Sequence, residues 1–380
     1  MAPIRGWRTV FSKGSLAREL IKLGCKVTIV CGSLRLDGRP GDAREFFAGL
    51  DVRAVDYTAA LDAEDPLRAD PPMHPSYEDR PDAPDRVFAR VDDETYEHLV
   101  AAWMRAFRDA GAAQADILHL NHLTPLNEAA ARIAPHVPVV GHLHGTELLM
   151  LEAIAQGPPM GWAHAQAWAV RMRRWASACQ RLVVLSKTQI ERLSHVLPIN
   201  PEHCVVIPNG FDPKLFDRHE VDRRAIWRQL LVEYPLGWHP HGEPGTVAYR
   251  PDDLSPFAEG PVLLYVGRFT AVKRLRLLIT AYALARKSFN QPAPLVLVGG
   301  FPGEWEEIID DGQTGWLVPP DDEGALAGAL LEAVNDDELR LQRGAAAYIA
   351  ARARYSWPAL GEKLARTYEA VLARPLFPDA

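Results

Sequence analysis

The chain has 380 residues, enough for two or three domains of ~150 residues each. Its apolar share of 48% and charged share of 24% are ordinary for a globular protein. The net charge of −7 argues against a nucleic-acid-binding protein, which would carry a basic surface. No apolar run approaches the ~20 residues of a membrane span, and the N-terminus lacks the apolar core of a signal peptide. The four cysteines show no metal-ligand spacing, so we expect reduced thiols and a cytoplasmic location.

The first half of the chain alternates apolar runs with amphipathic stretches, as the strands and helices of a parallel sheet do. A weak strand at 7–11 is followed by a glycine turn at 12–15 and a helix at 16–23. Further strands are predicted at 26–32, 52–57, 117–120, 138–145, 181–186 and 204–210, and helices at 92–111, 126–133 and 162–178, with another opened by Ser186. Residues 58–90 hold many prolines and acids, so we expect an exposed loop there.

The second half begins with VLLYVGRFTAVKR at 262–274, in which an apolar run ends at Gly267 and is followed by Arg268 and Lys273. A strand, a glycine turn with two cations and a helix place positive charge where α/β proteins bind anionic ligands. Solvated loop cations are the alternative. A strand at 295–300, a helix at 324–334 and a last helix after Ser356 complete this half. The sequence of this half shows two clear strands, fewer than the roughly six of a usual Rossmann-type half.

Six segments resemble, in the same order, motifs of the retaining family-4 glycosyltransferases of the glycogen-synthase-like group. They are PVVGHLHGTEL (138–148), RLVVLSKTQ (181–189), VVIPNGFDPKLF (205–216), VLLYVGRFTAVKR (262–274), LVLVGG (295–300) and EIIDDGQTGWLVPPDD (307–322). The resemblance implies an α/β protein with the GT-B fold: two Rossmann-type parallel-sheet domains facing a cleft, the second one truncated. It assigns 1–210 to the acceptor-side domain, 211–260 to a linker or insertion, 261–355 to a shortened donor-binding domain and 356–380 to a C-terminal helix and tail.

The same resemblance implies roles for four residues. Gly267, Arg268 and Lys273 would bind the donor, with the two cations holding its diphosphate. Negative charge grows on the departing phosphate as the glycosidic bond breaks, and fixed cations stabilise that charge most in the transition state. His144 matches the histidine that approaches the transferred sugar, so it joins Arg268 and Lys273 in the expected catalytic set. From the residues alone, a core or capping histidine is the alternative for His144.

Four further residues are expected near the acceptor or a phosphate. His119 and His122 would flank the acceptor cleft; they could suggest a metal, but no cysteine or carboxylate completes a ligand set, and the implied fold class needs none. Glu147 would hydrogen-bond sugar hydroxyls or lie in the first turn of a helix, where a carboxylate suits the dipole. Gly14 is the best match for the family's glycine loop, whose backbone amides approach a ligand, although the usual second glycine is missing.

One further expectation concerns side-chain direction near the predicted strand at 138–145. His142 lies two residues before His144. We expect one of the two side chains to point away from the other.

A segment typical of the family is missing after LVLVGG. The family normally carries there a pair of glutamates spaced E-x7-E, one for the donor sugar and one for its ribose. Here GEWEEII at 303–309 follows almost directly, and no two glutamates of the chain are eight positions apart. A shortened paralogue, a degraded gene product and an incomplete sequence all fit this pattern. Since positioning supplies much of the rate of such a reaction, we expect weak or absent turnover.

Two functions from different classes fit these residues. The first is transfer of a sugar from a nucleoside-diphosphate sugar to a hydroxyl acceptor, with retention and without cofactor or metal. Its partners would be the nucleotide sugar and a carbohydrate or other hydroxylated small molecule. The second is a non-catalytic remnant of such an enzyme that binds carbohydrate or another protein.

Overall fold

The computed structural model describes residues 10–35, 41–79, 85–237, 245–267, 269, 273–299 and 312–373. The chain divides into two compact units, Met1–Phe211 with Tyr355–Ala380, and Asp212–Arg354. The C-terminal segment thus returns to the first unit, whereas the sequence suggested a separate helix and tail. No helix within the described ranges is long and apolar enough to cross a membrane.

The regular elements are named here in chain order. The strands are β1 (Thr28–Ser33), β2 (Asp51–Asp56), β3 (Leu118–Asn121), β4 (Val139–His142), β5 (Arg181–Val184), β6 (Cys204–Val206), β7 (Leu263–Gly267) and β8 (Leu295–Gly299). The helices are α1 (Val10–Lys22), α2 (Ala43–Phe46), α3 (Asp93–Asp109), α4 (Pro125–Ile133), α5 (Thr146–Gln156), α6 (Ala165–Ala178), α7 (Lys187–Val196), α8 (Arg223–Arg228), α9 (Ser255–Glu259), α10 (Leu275–Ala285), α11 (Glu323–Asn335), α12 (Asp337–Tyr355) and α13 (Trp357–Leu372).

All strand pairs of the described residues are parallel. β1 pairs with β2, and β3, β4, β5 and β6 form a four-stranded sheet in that order. Parallel neighbours need a crossover connection, and α4 and α7 supply the crossovers from β3 to β4 and from β5 to β6. Asn121 at the end of β3 lies opposite His142 at the end of β4. The carboxyl ends of these strands and the helices that follow them therefore meet at one edge of the sheet.

Helix α3 shows why the strongly periodic stretches fold as predicted. The carboxylate of Asp92 accepts a hydrogen bond of 2.7 Å from the amide of Thr95 and caps the helix. Leu99, Trp103 and Phe107 share one face and are buried in the main core. The predictions of this helix and of the strands β1 to β6 are confirmed to within a few residues.

The prediction of an exposed loop over 58–90 is wrong. Leu67 and Phe88 are fully buried in the main core, and the Phe88 ring lies 4.8 Å from that of Trp168 between centroids. Arg86 makes a two-pronged ion pair with Asp65, with nitrogen–oxygen distances of 2.7 and 2.8 Å. Apolar anchors spread among prolines and acids carry no periodic signal, so composition alone did not reveal them.

The N-terminal segment also differs from its prediction. Residues 12–15, predicted as a glycine turn after a strand, lie inside α1. This helix packs against α13 in a cluster that includes Leu16, Leu20, Leu360 and Leu364. The two helices approach so closely that a Cβ on Gly361 would lie 2.5 Å from the Cβ of Glu19.

The second unit has a small core among its described residues. β7 and β8 form a two-stranded parallel sheet, as the sequence predicts. The fully or nearly fully buried apolar residues here are few, and most are small: Leu254, Ala281, Ala285, Ala293 and Val334. On β7, Leu264 and Val266 remain 58% and 59% exposed. Helix α12 was not predicted, although its acidic start and basic end are helix signals.

Candidate functional site

The candidate site lies in the first unit, at the carboxyl ends of β3 and β4. The turn after β3 carries His122, and the turn after β4 carries His144 and leads through Gly145 into α5. Two backbone positions are in the left-handed region, His122 at φ 66° and Gly145 at φ 93°. The amide of His122 donates a hydrogen bond of 2.8 Å to the carbonyl of His142, which ties the two turns together.

A buried carboxylate lies between these turns. Glu147, in the first turn of α5, is 0% exposed. Its Oε1 accepts a hydrogen bond of 2.5 Å from His122 Nδ1, and its Oε2 accepts bonds from the His144 amide (3.2 Å) and the Thr146 hydroxyl (3.4 Å). The prediction of a first-turn carboxylate is confirmed. Contact with sugar hydroxyls, the other role expected for Glu147, stays a prediction; in this structure both carboxylate oxygens accept hydrogen bonds from protein donors.

The surroundings of Glu147 affect its acidity in opposite directions. Burial raises the pKa of its carboxyl, but the charge and hydrogen bond of His122 and the hydrogen bond from the His144 amide lower it more. The net pKa is therefore below the ordinary value. The carboxylate is ionised at neutral pH in spite of its complete burial.

His144 is held from several sides. Its side chain is almost completely buried, and its Nε2 donates a hydrogen bond of 3.0 Å to Asn121 Oδ1. Its ring stacks on that of His142, with centroids 4.3 Å apart and planes inclined by 17°. The expectation that one of these side chains points away from the other is wrong. Side chains two positions apart along a strand lie on the same face, so the spacing of His142 and His144 itself predicts neighbouring rings.

His119 contacts a residue of the C-terminal helix and a second histidine. Its Nδ1 is 2.6 Å from the hydroxyl of Tyr368 on α13, and its Nε2 is 3.1 Å from Nδ1 of His142. It is therefore an inner member of a histidine cluster and supports His142, which in turn stacks on His144. The structure thus shows packing and hydrogen-bonding partners for His119 that the acceptor-side prediction did not include.

His122, the second predicted acceptor-side histidine, has 16% of its side chain exposed. Its ring lies 5.6 Å from that of Tyr77 and 4.6 Å from that of His144, between centroids. Tyr77 donates a hydrogen bond of 2.7 Å to the carbonyl of Leu123. Burial, and then the charge of Glu147, raise the pKa of the Tyr77 hydroxyl well above its ordinary value.

Sequence reasoning did not assign site roles to Asn121, Tyr77 and Tyr368. Asn121 could have been found, because it stands at the end of a predicted strand and next to His122. Tyr77 lies in the stretch that was interpreted as an exposed loop, and Tyr368 lies about 250 residues from the histidine it contacts. Neither of those two positions carries a local signal.

The structure does not bring Gly14 into a ligand-binding loop. Gly14 lies inside α1, where a Cβ would meet the ring of Phe47 at 3.4 Å. Its amide is therefore part of a helix and not of a glycine loop that follows a strand. The match to the family's glycine loop is thus not supported by the local backbone.

The predicted donor-side residues belong to the second unit. Gly267 is buried at the end of β7, and Lys273 lies just before α10. Its neighbour Arg274 forms an ion pair with Asp321 at 2.5 Å. Arg268 lies outside the described residues. The strand, glycine and helix predicted from 262–274 are present, with Lys273 at the helix start.

The described ranges contain no group of three or more His, Cys, Asp or Glu side chains arranged to hold a metal ion. The histidine nitrogens at the site instead contact Glu147, Asn121, Tyr368 and one another.

The fold is that of the GT-B glycosyltransferases. Sucrose-phosphate synthase from Thermosynechococcus elongatus superposes with a TM-score of 0.51 at 14% identity, covering 91% of this chain and 99% of that one. The Anabaena protein HepE, determined in complex with UDP, superposes with a TM-score of 0.55 at 14% identity, covering 94% and 96%. Both are similar to this chain in fold.

The family follows from the sequence. A profile of glycosyltransferase family 4 matches residues 14–215, which is more than half of the chain, so the chain belongs to that family. A phosphatidyl-myo-inositol mannosyltransferase of Mycobacterium leprae is 39% identical over 67 residues. That match spans 18% of this chain and 18% of the mannosyltransferase.

Proposed function

We propose that this chain transfers a sugar from a nucleoside-diphosphate sugar to a hydroxyl acceptor, with retention of configuration and at a low rate. The observation that carries the proposal is the arrangement around His144 in a family-4 chain. A histidine at the carboxyl end of a parallel strand is fixed there by Glu147, Asn121 and His142. Side chains that must meet a reacting centre are expected at this edge of the sheet.

In the proposed reaction, the bond from the sugar's anomeric carbon to the diphosphate breaks and a bond to the acceptor oxygen forms, while the proton of the acceptor hydroxyl passes to the departing diphosphate. Arg268 and Lys273 stabilise the negative charge on the departing diphosphate, arginine with a planar fork and lysine with a point charge. Gly267 ends the strand that leads to them. His144 contacts the transferred sugar, and the hydrogen bond from its Nε2 to Asn121 sets the direction of the ring.

The low rate is proposed because of two features of the second unit. The chain lacks two glutamates spaced E-x7-E, so no such pair orients the donor sugar and its ribose. The core of the described part is small, and the apolar residues Leu264 and Val266 are more than half exposed. Lost positioning of a donor costs rate even where its phosphates are still bound.

The donor class and the setting are part of the same proposal. HepE has been determined in complex with UDP-glucose, which makes UDP-glucose the first donor to test. We also propose a cytoplasmic location, because the four cysteines show no metal-ligand spacing and are expected to be reduced.

The test is a calorimetric titration of the monodisperse chain with UDP, GDP, ADP and their glucose conjugates. We expect micromolar binding of one nucleotide, and its loss in the double variant Arg268→Ala/Lys273→Ala. Transfer to glucose-containing acceptors is then followed by proton NMR, in which the coupling constant of the anomeric proton reports retention or inversion. Robust turnover would contradict the low rate, and an inverted product would contradict retention.

A second candidate is a non-catalytic protein that binds carbohydrate or another protein through the first unit. The missing glutamate pair favours it. It predicts no nucleotide binding by a well-folded sample, together with retention of the chain on a carbohydrate array. The nucleotide titration therefore separates the two candidates.

A further inference from the structure

The carboxylate of Glu147 has an unusual position for a first-turn residue. Such a carboxylate can interact favourably with the helix dipole from the protein surface, where its ionised form stays hydrated. Here it is 0% exposed, and desolvating an ion is costly unless several donors compensate. The compensating donors are His122, the amide of His144 and the hydroxyl of Thr146. Its partners thus belong to both turns of the site.

The turn after β3 needs such a link because its backbone is not in a relaxed conformation. His122 has φ 66°, a left-handed conformation that is uncommon for a residue with a Cβ. The bond from its Nδ1 to Glu147 and the bond from its amide to His142 hold it there. The ring of His122 then lies 4.6 Å from that of His144 and forms one wall around it.

The backbone of His144 is fixed by the other carboxylate oxygen. Its amide donates to Glu147 Oε2, three residues on, and this closes the turn at Gly145. The direction of the Cα–Cβ bond of His144 is thereby set. The remaining freedom of the ring is removed by Asn121 at Nε2 and by the stacked ring of His142.

We propose that Glu147 is a positioning residue: through His122 and the amide of His144, it fixes the orientation and the Nε2-protonated form of the His144 imidazole. The hydrogen-bond partners of an imidazole determine which of its nitrogens carries the proton, and the partner of His144 Nε2 here is Asn121. Without Glu147, the His144 turn relaxes and the Nε2–Asn121 bond is lost. The catalytic part of this inference rests on the proposed sugar transfer; the structural part does not.

The test combines a spectroscopic and a kinetic measurement on the full chain. The variants are Glu147→Ala and Glu147→Gln, and the matched control is Glu152→Gln. Glu152 is a carboxylate on the same helix that pairs with Arg192 at 3.0 and 2.7 Å, away from the histidines. Long-range proton–nitrogen spectra of the chain labelled with ¹⁵N-histidine report the protonation form of each ring, and His144→Asn identifies the His144 signals.

In the wild type and in Glu152→Gln, we expect His144 in a single form with the proton on Nε2. In Glu147→Ala we expect a mixture of forms, and in Glu147→Gln, which keeps the shape and one acceptor, a smaller change. If UDP-glucose is turned over, Glu147→Ala should lower kcat about 100-fold while KM for the donor changes little, since the loss is in orientation. Glu147→Gln should recover most of that loss.

An unchanged His144 spectrum in both Glu147 variants would overturn the proposal. So would a loss of kcat in the Glu152→Gln control as large as that in Glu147→Ala. If the wild-type chain turns over no donor, the proposed sugar transfer fails, and the spectra alone decide on positioning. If Glu147→Ala does not fold, the spectrum of Glu147→Gln decides.

Discussion

Removing the Phe88 side chain tests whether residues 58–90 belong to the core. Phe88 is 0% exposed, and its ring lies 4.8 Å from those of Tyr77 and Trp168 and 5.4 Å from that of His74, between centroids. Replacing a fully buried phenylalanine by alanine removes its transfer free energy and leaves a cavity. Together these cost about 3–5 kcal/mol in the free energy of unfolding.

An exposed loop would behave differently. Substitution of a surface residue changes the free energy of unfolding by about 0.5 kcal/mol or less. For a unit of this size, each kcal/mol shifts the melting temperature by roughly 2–4 °C, so Phe88→Ala should lower it by about 10 °C. Differential scanning calorimetry of the full chain measures the shift. The matched control is Leu149→Ala on α5, because that side chain is 52% exposed.

The reasoning fails if Phe88→Ala shifts the melting temperature no more than the Leu149→Ala control does. Loss of the Phe88 ring should also affect the candidate site, because the Tyr77 ring contacts both Phe88 and His122. We therefore expect faster hydrogen exchange in the turn after β3 in Phe88→Ala. Unchanged exchange there would mean that the loop segment does not support the site.

Three further predictions concern stability. Because the pKa of Glu147 is lowered by folding, its contribution is present above its ordinary value of 4.5 and is lost as pH falls through the lower folded value. The difference in melting temperature between wild type and Glu147→Gln should therefore shrink as pH falls below ~4.5; a constant difference from pH ~5 down to pH 3 would contradict the lowered pKa. A methyl group on Gly141 would lie 2.9 Å from Sγ of Cys179, so Gly141→Ala should cost about 1–3 kcal/mol by urea unfolding, and a neutral effect would mean that β4 can shift. Leu264→Thr/Val266→Thr should change stability by no more than ~0.5 kcal/mol per site, whereas a large loss would show that these side chains are covered in solution.

Most regular elements could be predicted because their signals are local. Neighbouring residues alone were enough to predict the strands β3, β4, β5 and β6 from their apolar runs. The same holds for α3, which was predicted from its periodic pattern. The resemblance to family 4 then identified the fold, and the family is confirmed. His144 was singled out through the resemblance, and not by its spacing.

Most features that the sequence did not predict have one physical cause: they are formed by contacts between residues distant in sequence. Phe88 became a core residue because Trp168 packs on it, and nothing near Phe88 in sequence indicates this. The His142–His144 pair is a different kind of miss, because residues two apart on a strand share a face and their proximity follows from the spacing alone. The partners of Glu147 come from a turn 25 residues upstream, so its burial could not be foreseen.

The two units differ in a way that bears on how activity could be lost. In the first unit, the atoms that orient His144 are buried and hydrogen-bonded within that unit. In the second, the described residues offer a two-stranded sheet and a core of mostly small side chains. The orientation of His144 therefore does not depend on Arg268 and Lys273, the residues that we propose to bind the donor. A loss of nucleotide binding in the second unit would leave the hydrogen bonds around His144 in the first unit in place, so each unit has to be assayed separately.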